Sequence, residues 1–201
     1  MKPSYFLILV LLPLLSCKKE DIKLTVCNPE AYFPLETGNY WVYNTFRKYD
    51  DGTMEYRETD SLYISSDTLL LGYRFFHLEG SFNAHPESAW LTSKEGRIIS
   101  SDQYVFYECP RFFASKELYP VAHFDYPALL NTIRKDTTIS LPAGDFNPVM
   151  LMTARSMVED TILVVTYRFY YARNIGLIRF SARSRSHDFE GISELVRYHV
   201  N

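Results

Sequence analysis

The sequence predicts an all-β protein: a single antiparallel, strongly curved sheet or half-open barrel of about ten strands, with at most one short helix. Three observations carry this. The chain holds 14 Phe, 16 Tyr and 2 Trp in 201 residues, and many of these aromatics stand with β-branched residues in short runs. Turn signals such as Asp-Gly, Pro-Ala-Gly-Asp and Asn-Ile-Gly fall between those runs. The runs are short and evenly spaced, the pattern of a meander that curls on itself.

Residues 39–49 (NYWVYNTFRKY) read as the first strand, and Asp50-Asp51-Gly52-Thr53 as a hairpin turn into a second strand at 54–65. Residues 72–82 and 88–92 follow as strands; Lys94-Glu95-Gly96 turns into 97–101, and 103–109 comes next. Segment 110–135 is broken by Pro110, Pro120 and Pro127 and reads as a cap or side loop, with one or two helical turns over 128–134. The β pattern resumes at 137–141, with a turn at 142–145. Strands 146–155 and 161–172 pair across 157–160, residues 174–176 turn into 177–184, and 191–200 closes the chain. No internal repeat or Pro/Gly/Ser linker divides it, so 32–201 reads as one β-rich domain.

The N-terminus has a different character. Met1-Lys2 is a short basic start, and an apolar run follows from Tyr5 to Leu15. That run is well short of the ~20 residues that cross a bilayer as a helix, and Pro13 interrupts it. Residues 1–16 therefore read as a secretory signal peptide. Leu14-Leu15-Ser16-Cys17 resembles the bacterial lipobox, in which the cysteine is acylated and becomes the new N-terminus; the alternative is an ordinary signal peptide with a chance cysteine. One acyl chain binds a membrane only marginally, whereas two or three hold it firmly. Residues 17–31 then form the lipidated cysteine and its tether. Lys19-Glu20-Asp21 resembles the short signal that follows the lipidated cysteine in surface-exported lipoproteins of the Bacteroidota. The expected location is the outer membrane, at the cell surface in preference to the periplasmic face.

With Cys17 taken by lipid, Cys27 and Cys109 remain in an oxidising compartment. They form either a disulfide, worth roughly 4.5 kcal/mol in the chain-entropy model, or two separate buried thiols.

Three further stretches carry a family resemblance. Residues 32–43 (YFPLETGNYWVY), 141–146 (LPAGDF) and 170–178 (YYARNIGLI) resemble the opening, mid-chain turn and C-terminal motif of a group of Bacteroidota outer-membrane lipoproteins. That resemblance implies a strongly bent antiparallel sheet like the half-open barrels of lipoprotein carrier proteins, which hold an acyl chain in their concave face. It implies no catalytic residues. Trp41 and Tyr43 fall on one face of the first strand and are either core residues or the lining of an apolar ligand site.

The remaining candidates are weaker. On 177–187, Arg179, Arg183 and Arg185 share one face by period two. Arg197 on the last strand extends them into a cationic stripe for an anionic glycan, lipopolysaccharide phosphate or acidic partner, unless Glu190 and Glu194 neutralise it. Tyr104, Phe106, Phe112, Phe113, Tyr119, Phe124 and Tyr126 surround the proline-rich segment and either stack on sugars or pack a loop onto the sheet. His77, His85, His123, His187 and His199 are scattered without metal-ligand spacing. There is no nucleophile elbow or P-loop, so the sequence names no catalytic residue, metal or cofactor. Lys+Arg 21 against Asp+Glu 24 gives a net charge of −3, which argues against nucleic acid as a partner. The expected role is a non-catalytic, lipid-anchored envelope protein binding an apolar or amphipathic ligand on its concave face. The alternative is a structural or interaction module that binds glycan or protein through loops and the arginine face.

Overall fold

The computed structural model describes residues 27–201 except 71, 83–84, 110–117, 120–127, 136, 148, 159–161 and 185–186. The only helical element among them is a single 3-10 turn, Pro29–Ala31, capped by the Asn28 side chain. Twelve strands form one antiparallel sheet: β1 (Tyr40–Tyr49), β2 (Met54–Leu70), β3 (Tyr73–Phe82), β4 (His85–Lys94), β5 (Arg97–Ser100), β6 (Val105–Glu108), β7 (Leu118–Tyr119), β8 (Ala128–Lys135), β11 (Val149–Val158), β12 (Ile162–Ala172), β13 (Gly176–Ser184) and β14 (Phe189–His199). Two short strands, β9 (Ile139–Leu141) and β10 (Gly144–Phe146), make a separate hairpin.

The sheet runs β6-β5-β4-β3-β2-β1-β14-β13-β12-β11-β8-β7. Chain neighbours pair with each other, and one long-range pairing, β1 with β14, joins the two halves. The sheet curls into a nearly closed barrel whose end strands, β6 and β7, leave an unsealed seam. Register breaks at Val42/Tyr43, Thr45/Phe46, Ile64/Ser66, Ile98/Ile99, Ser156/Met157 and Tyr170/Tyr171 supply the local bending that closure needs. Gly80 marks a close approach of β2 and β3. Its φ is +132°, and a Cβ there would lie 1.9 Å from the Ser61 carbonyl oxygen, so only glycine lets β2 and β3 approach.

Alternate residues of every long strand enter one apolar cluster. Leu62, Ile64, Leu78, Leu91, Ile98, Val105 and Tyr107 come from one half and Leu130, Met152, Phe169, Ile178, Phe180 and Leu195 from the other. Phe33 and Leu35 of the lead-in join it. In the segment the sequence reads as tether, Cys27 packs against this cluster and Pro29 of the 3-10 turn is buried.

Two expectations are corrected here. Residues 128–134 form strand β8, not helical turns; β8 is held along its length by β11, and that pairing overrides the helical preference of its Ala and Leu residues. Strand β2 does not stop at residue 65 but runs to Leu70, because β3 pairs with it from Tyr73 onward.

Candidate functional site

Strand direction gives the barrel two distinct ends. The lead-in, the β2–β3, β4–β5 and β12–β13 turns and the C-terminus gather at one end, called proximal because Cys27 lies there. The β1–β2 turn and the C-terminal ends of β3, β11 and β13 lie at the other, distal end.

At the proximal end Cys27 and Cys109 are bridged, with Cα atoms 5.8 Å apart. The Cys109 amide donates to the Gly96 carbonyl at the β4–β5 turn. Tyr32 stacks on Tyr107 at 5.8 Å, and Phe33 packs on Trp41, Phe106 and Tyr171. Burial pushes the Tyr43, Tyr107 and Tyr171 phenols far above the usual value, because a phenolate there would lose its hydration.

Trp41 and Tyr43 are 2% and 1% exposed. The β13–β14 ladder pairs only Arg179–Arg183 with Glu194–Glu190, so carbonyls earlier on β13 lie beyond its end. The Trp41 Nε1–H donates to the Ile175 carbonyl and the Tyr43 hydroxyl to the Leu177 carbonyl at 2.8 Å. The two aromatics stand in for missing ladder bonds. A Cβ on Gly176 would lie 3.1 Å from the Trp41 ring nitrogen, so this glycine lets the indole approach. The ligand-lining expectation is corrected accordingly: these side chains complete the core.

The arginine stripe is also altered. Arg179 lies opposite Glu194 in the ladder and ion-pairs with it at 3.5 Å, and Arg183 ion-pairs with Asp50. Arg168 on β12 takes Glu190 at 3.3 Å. Period two places Arg197 with Leu195, but the register break opposite Val42/Tyr43 leaves Val196 as an extra residue; Leu195 is buried and Arg197 exposed. Arg185 lies outside the described residues, as do Cys17, Phe112, Phe113, His123, Phe124 and Tyr126. Tyr104 is exposed, and Phe106 packs against the core. His77 stacks on Trp90 at 4.5 Å and contacts Ser65, Ser88 and Glu79. His199 stacks on Tyr40, and His187 packs on Phe189. Among the described residues no three His, Cys, Asp or Glu side chains gather as a metal site would require.

Three features escaped the sequence reading. Asp60 is buried; it accepts from Thr45 at 3.1 Å and Ser81 at 2.8 Å, and Thr45 also bonds Ser193 at 3.0 Å. This network ties β1, β2, β3 and β14 together inside the distal half. Its signal was legible: Asp60 shares the face of Leu62 and Ile64, an acid in an apolar phase. The second feature is an aromatic distal rim. Tyr49 packs on Phe189 at 6.2 Å, Arg47 lies 4.8 Å from the Phe189 ring centre, Phe46 packs on Tyr56, and Met54 and Tyr56 are exposed. The third is a proximal groove of about 570 Å³ between the lead-in and the β2–β3 hairpin, lined by Glu30, Leu35, Asp67, Tyr73, Arg74 and Phe76 among others. Arg74 donates to Asp67 at 2.8 Å and, with the Thr37 hydroxyl, holds that carboxyl below its usual range. The groove is open and polar.

No family model and no curated protein matches the chain. Solved structures do. One, described as an exported protein with a YmcC-like fold from Bacteroides fragilis, aligns over 86% of this chain and 100% of its own, with TM-score 0.51 and 14% identity. Another, described as a lipoprotein from Parabacteroides distasonis, aligns over 84% and 99%, with TM-score 0.48 and 13% identity. At such identity the first likeness shows a shared fold.

Proposed function

We propose that this protein is a non-catalytic lipoprotein of the outer membrane, held by acyl chains on Cys17 and displayed at the cell surface, that works as an interaction module through its distal rim. The observation that carries the reading is the filled interior. Side chains from both halves of the sheet and from the lead-in meet in one cluster, so the concave face that would hold an acyl chain is occupied by the protein itself. The exported B. fragilis protein of similar fold and the Leu14–Cys17 and Lys19–Asp21 motifs support the envelope location. The rim supports the module reading: Met54 and Tyr56 are exposed beside Tyr49, Arg47 and Phe189, and aromatic and arginine side chains suit a glycan or protein partner.

Native mass spectrometry of the detergent-extracted protein from its own host, before and after organic extraction, tests both parts. The expected mass is the chain from Cys17 with its covalent acyl groups, less two hydrogens for the disulfide, and unchanged by extraction. A lipid that co-purifies and is removed by extraction would refute the filled interior. An unacylated Cys17 would refute the anchor.

A further inference from the structure

On its β2 side the β2–β3 hairpin reaches well past the start of β1, while β4 flanks β3 as far as Tyr73. Tyr40, the first residue of β1, pairs with Tyr63, yet β2 continues seven residues further to Leu70 with β3 as its partner. At about 3.4 Å per residue the hairpin overhangs the start of β1 by about 24 Å. A lone two-stranded ribbon is marginal in water, and this one is braced along its length: Asp67 is bonded by Thr37 and Arg74, the Thr92 hydroxyl donates to the Arg74 carbonyl, and at the tip the Lys94 ammonium lies 5.9 Å from the Tyr73 ring centre.

The tip is apolar. Leu69 is 74% exposed, Leu70 53% and Tyr73 48%. Leu69 and Leu70 are consecutive on a strand, so they point to opposite faces of the ribbon. A docking protein would cover one face, whereas a medium that is apolar all round would take both.

The tip also lies where the membrane must be. Tyr73 meets Lys94, Lys94 ends β4, the turn after it holds the Cys109 amide through Gly96, and Cys109 is bridged to Cys27. Ten residues separate Cys27 from Cys17, which limits the tether to about 35 Å even when fully extended. Tyr73 suits the headgroup level, and Arg74 and Lys94 can keep their charges in water with their stems along it.

We infer that the tip of the β2–β3 hairpin, through Leu69, Leu70 and Tyr73, enters the lipid bilayer interface as a second contact beside the acylated N-terminus, standing the barrel with its distal rim away from the membrane. This inference rests on the acylation of Cys17 proposed above.

The test uses the full-length protein, processed by its host and reconstituted in phosphatidylethanolamine–phosphatidylglycerol vesicles. An environment-sensitive fluorophore is placed on Leu70→Cys, or on Asp51→Cys at the distal turn. The label at position 70 is expected to emit further to the blue, to be quenched by brominated lipid and to be shielded from aqueous iodide. The label at 51 is expected to show the reverse. A label at 70 that stays aqueous while the protein floats with the vesicles overturns the inference and leaves the anchor standing. A blue shift that disappears when copies are diluted apart assigns the leucines to a second copy and also overturns it. A chain that carries no acyl mass and does not float overturns the anchor, and the inference with it.

Discussion

Replacing Cys27 and Cys109 together by serine removes the bridge without leaving a reactive thiol. The bridge spans 82 residues. In the chain-entropy model a loop of that size restrains the unfolded chain by about 4.5 kcal/mol at 25 °C. Domains of this kind are stable by about 5–15 kcal/mol in total, so the loss is a large share. With an unfolding entropy of about 2.1 cal/mol/K per residue, the melting temperature should fall by about 12 °C. In urea the midpoint should fall by about 2 M. The slope of the transition should rise as well, because the unlinked unfolded chain exposes more surface. The assay is urea and thermal unfolding followed by circular dichroism, on the double variant and on the parent protein with and without reductant. Reductant should move the parent onto the variant's curve. A double variant within about 1 kcal/mol of the parent would refute the reasoning, because it would mean that residual structure already holds the two positions together in the unfolded chain.

Two further predictions concern the buried aromatics. Trp41→Phe keeps a ring but leaves the Ile175 carbonyl without its donor; chemical denaturation should show a loss of about 1–3 kcal/mol, and a neutral result would mean that the carbonyl finds water. Burial raises the Tyr43, Tyr107 and Tyr171 phenols far above the ordinary tyrosine value of about 10. The fold therefore favours their protonated forms, so their contribution is fully present below pH 10 and is lost as pH rises and the unfolded chain ionises. Three such groups give a slope of about 4 kcal/mol per pH unit above 10. Tyrosinate absorbance from these three should appear together with loss of the β signal. Ionisation near 10 with the sheet intact would refute their burial.

The strands with period-two patterning were legible, and so was the Asp50–Thr53 turn, because hydrophobic alternation and turn chemistry are local. What failed was not local. Residues 128–134 have the composition of a helix and become a strand only because β11 offers a ladder. Ser65-Ser66-Asp67 reads as the end of a strand, yet β2 continues because β3 answers it residue by residue. Arg197 reaches the outer face of Arg179 and Arg183 only because Val196 is an extra residue in the register, and no spacing rule signals where that occurs. Trp41 and Tyr43 were placed on the correct face. Their role depends on where the β13–β14 ladder stops, which is a property of the assembled sheet. Asp60 was readable from its phase alone.

The seam explains why so much of this molecule's unusual chemistry gathers at the proximal end. A barrel whose end strands do not pair leaves β6 as an edge, and such an edge invites pairing with other chains. Here the lead-in does part of the work that a hydrogen-bonded partner strand would do. Phe33 touches Phe106 on β6 and Tyr171 on β12, from opposite halves of the sheet. The Tyr171 hydroxyl donates to the Phe106 carbonyl, satisfying an edge acceptor from inside the core. Cys27 fixes Cys109 immediately after β6, so the covalent link lands beside the edge strand. The segment that joins the domain to its tether is therefore also the segment that closes it. Cutting the bridge should weaken the seam before the β1–β14 centre, and amide exchange in the double variant should rise first at residues 105–108. A uniform rise across the sheet would show that the lead-in stabilises the barrel as a whole and does not guard its edge.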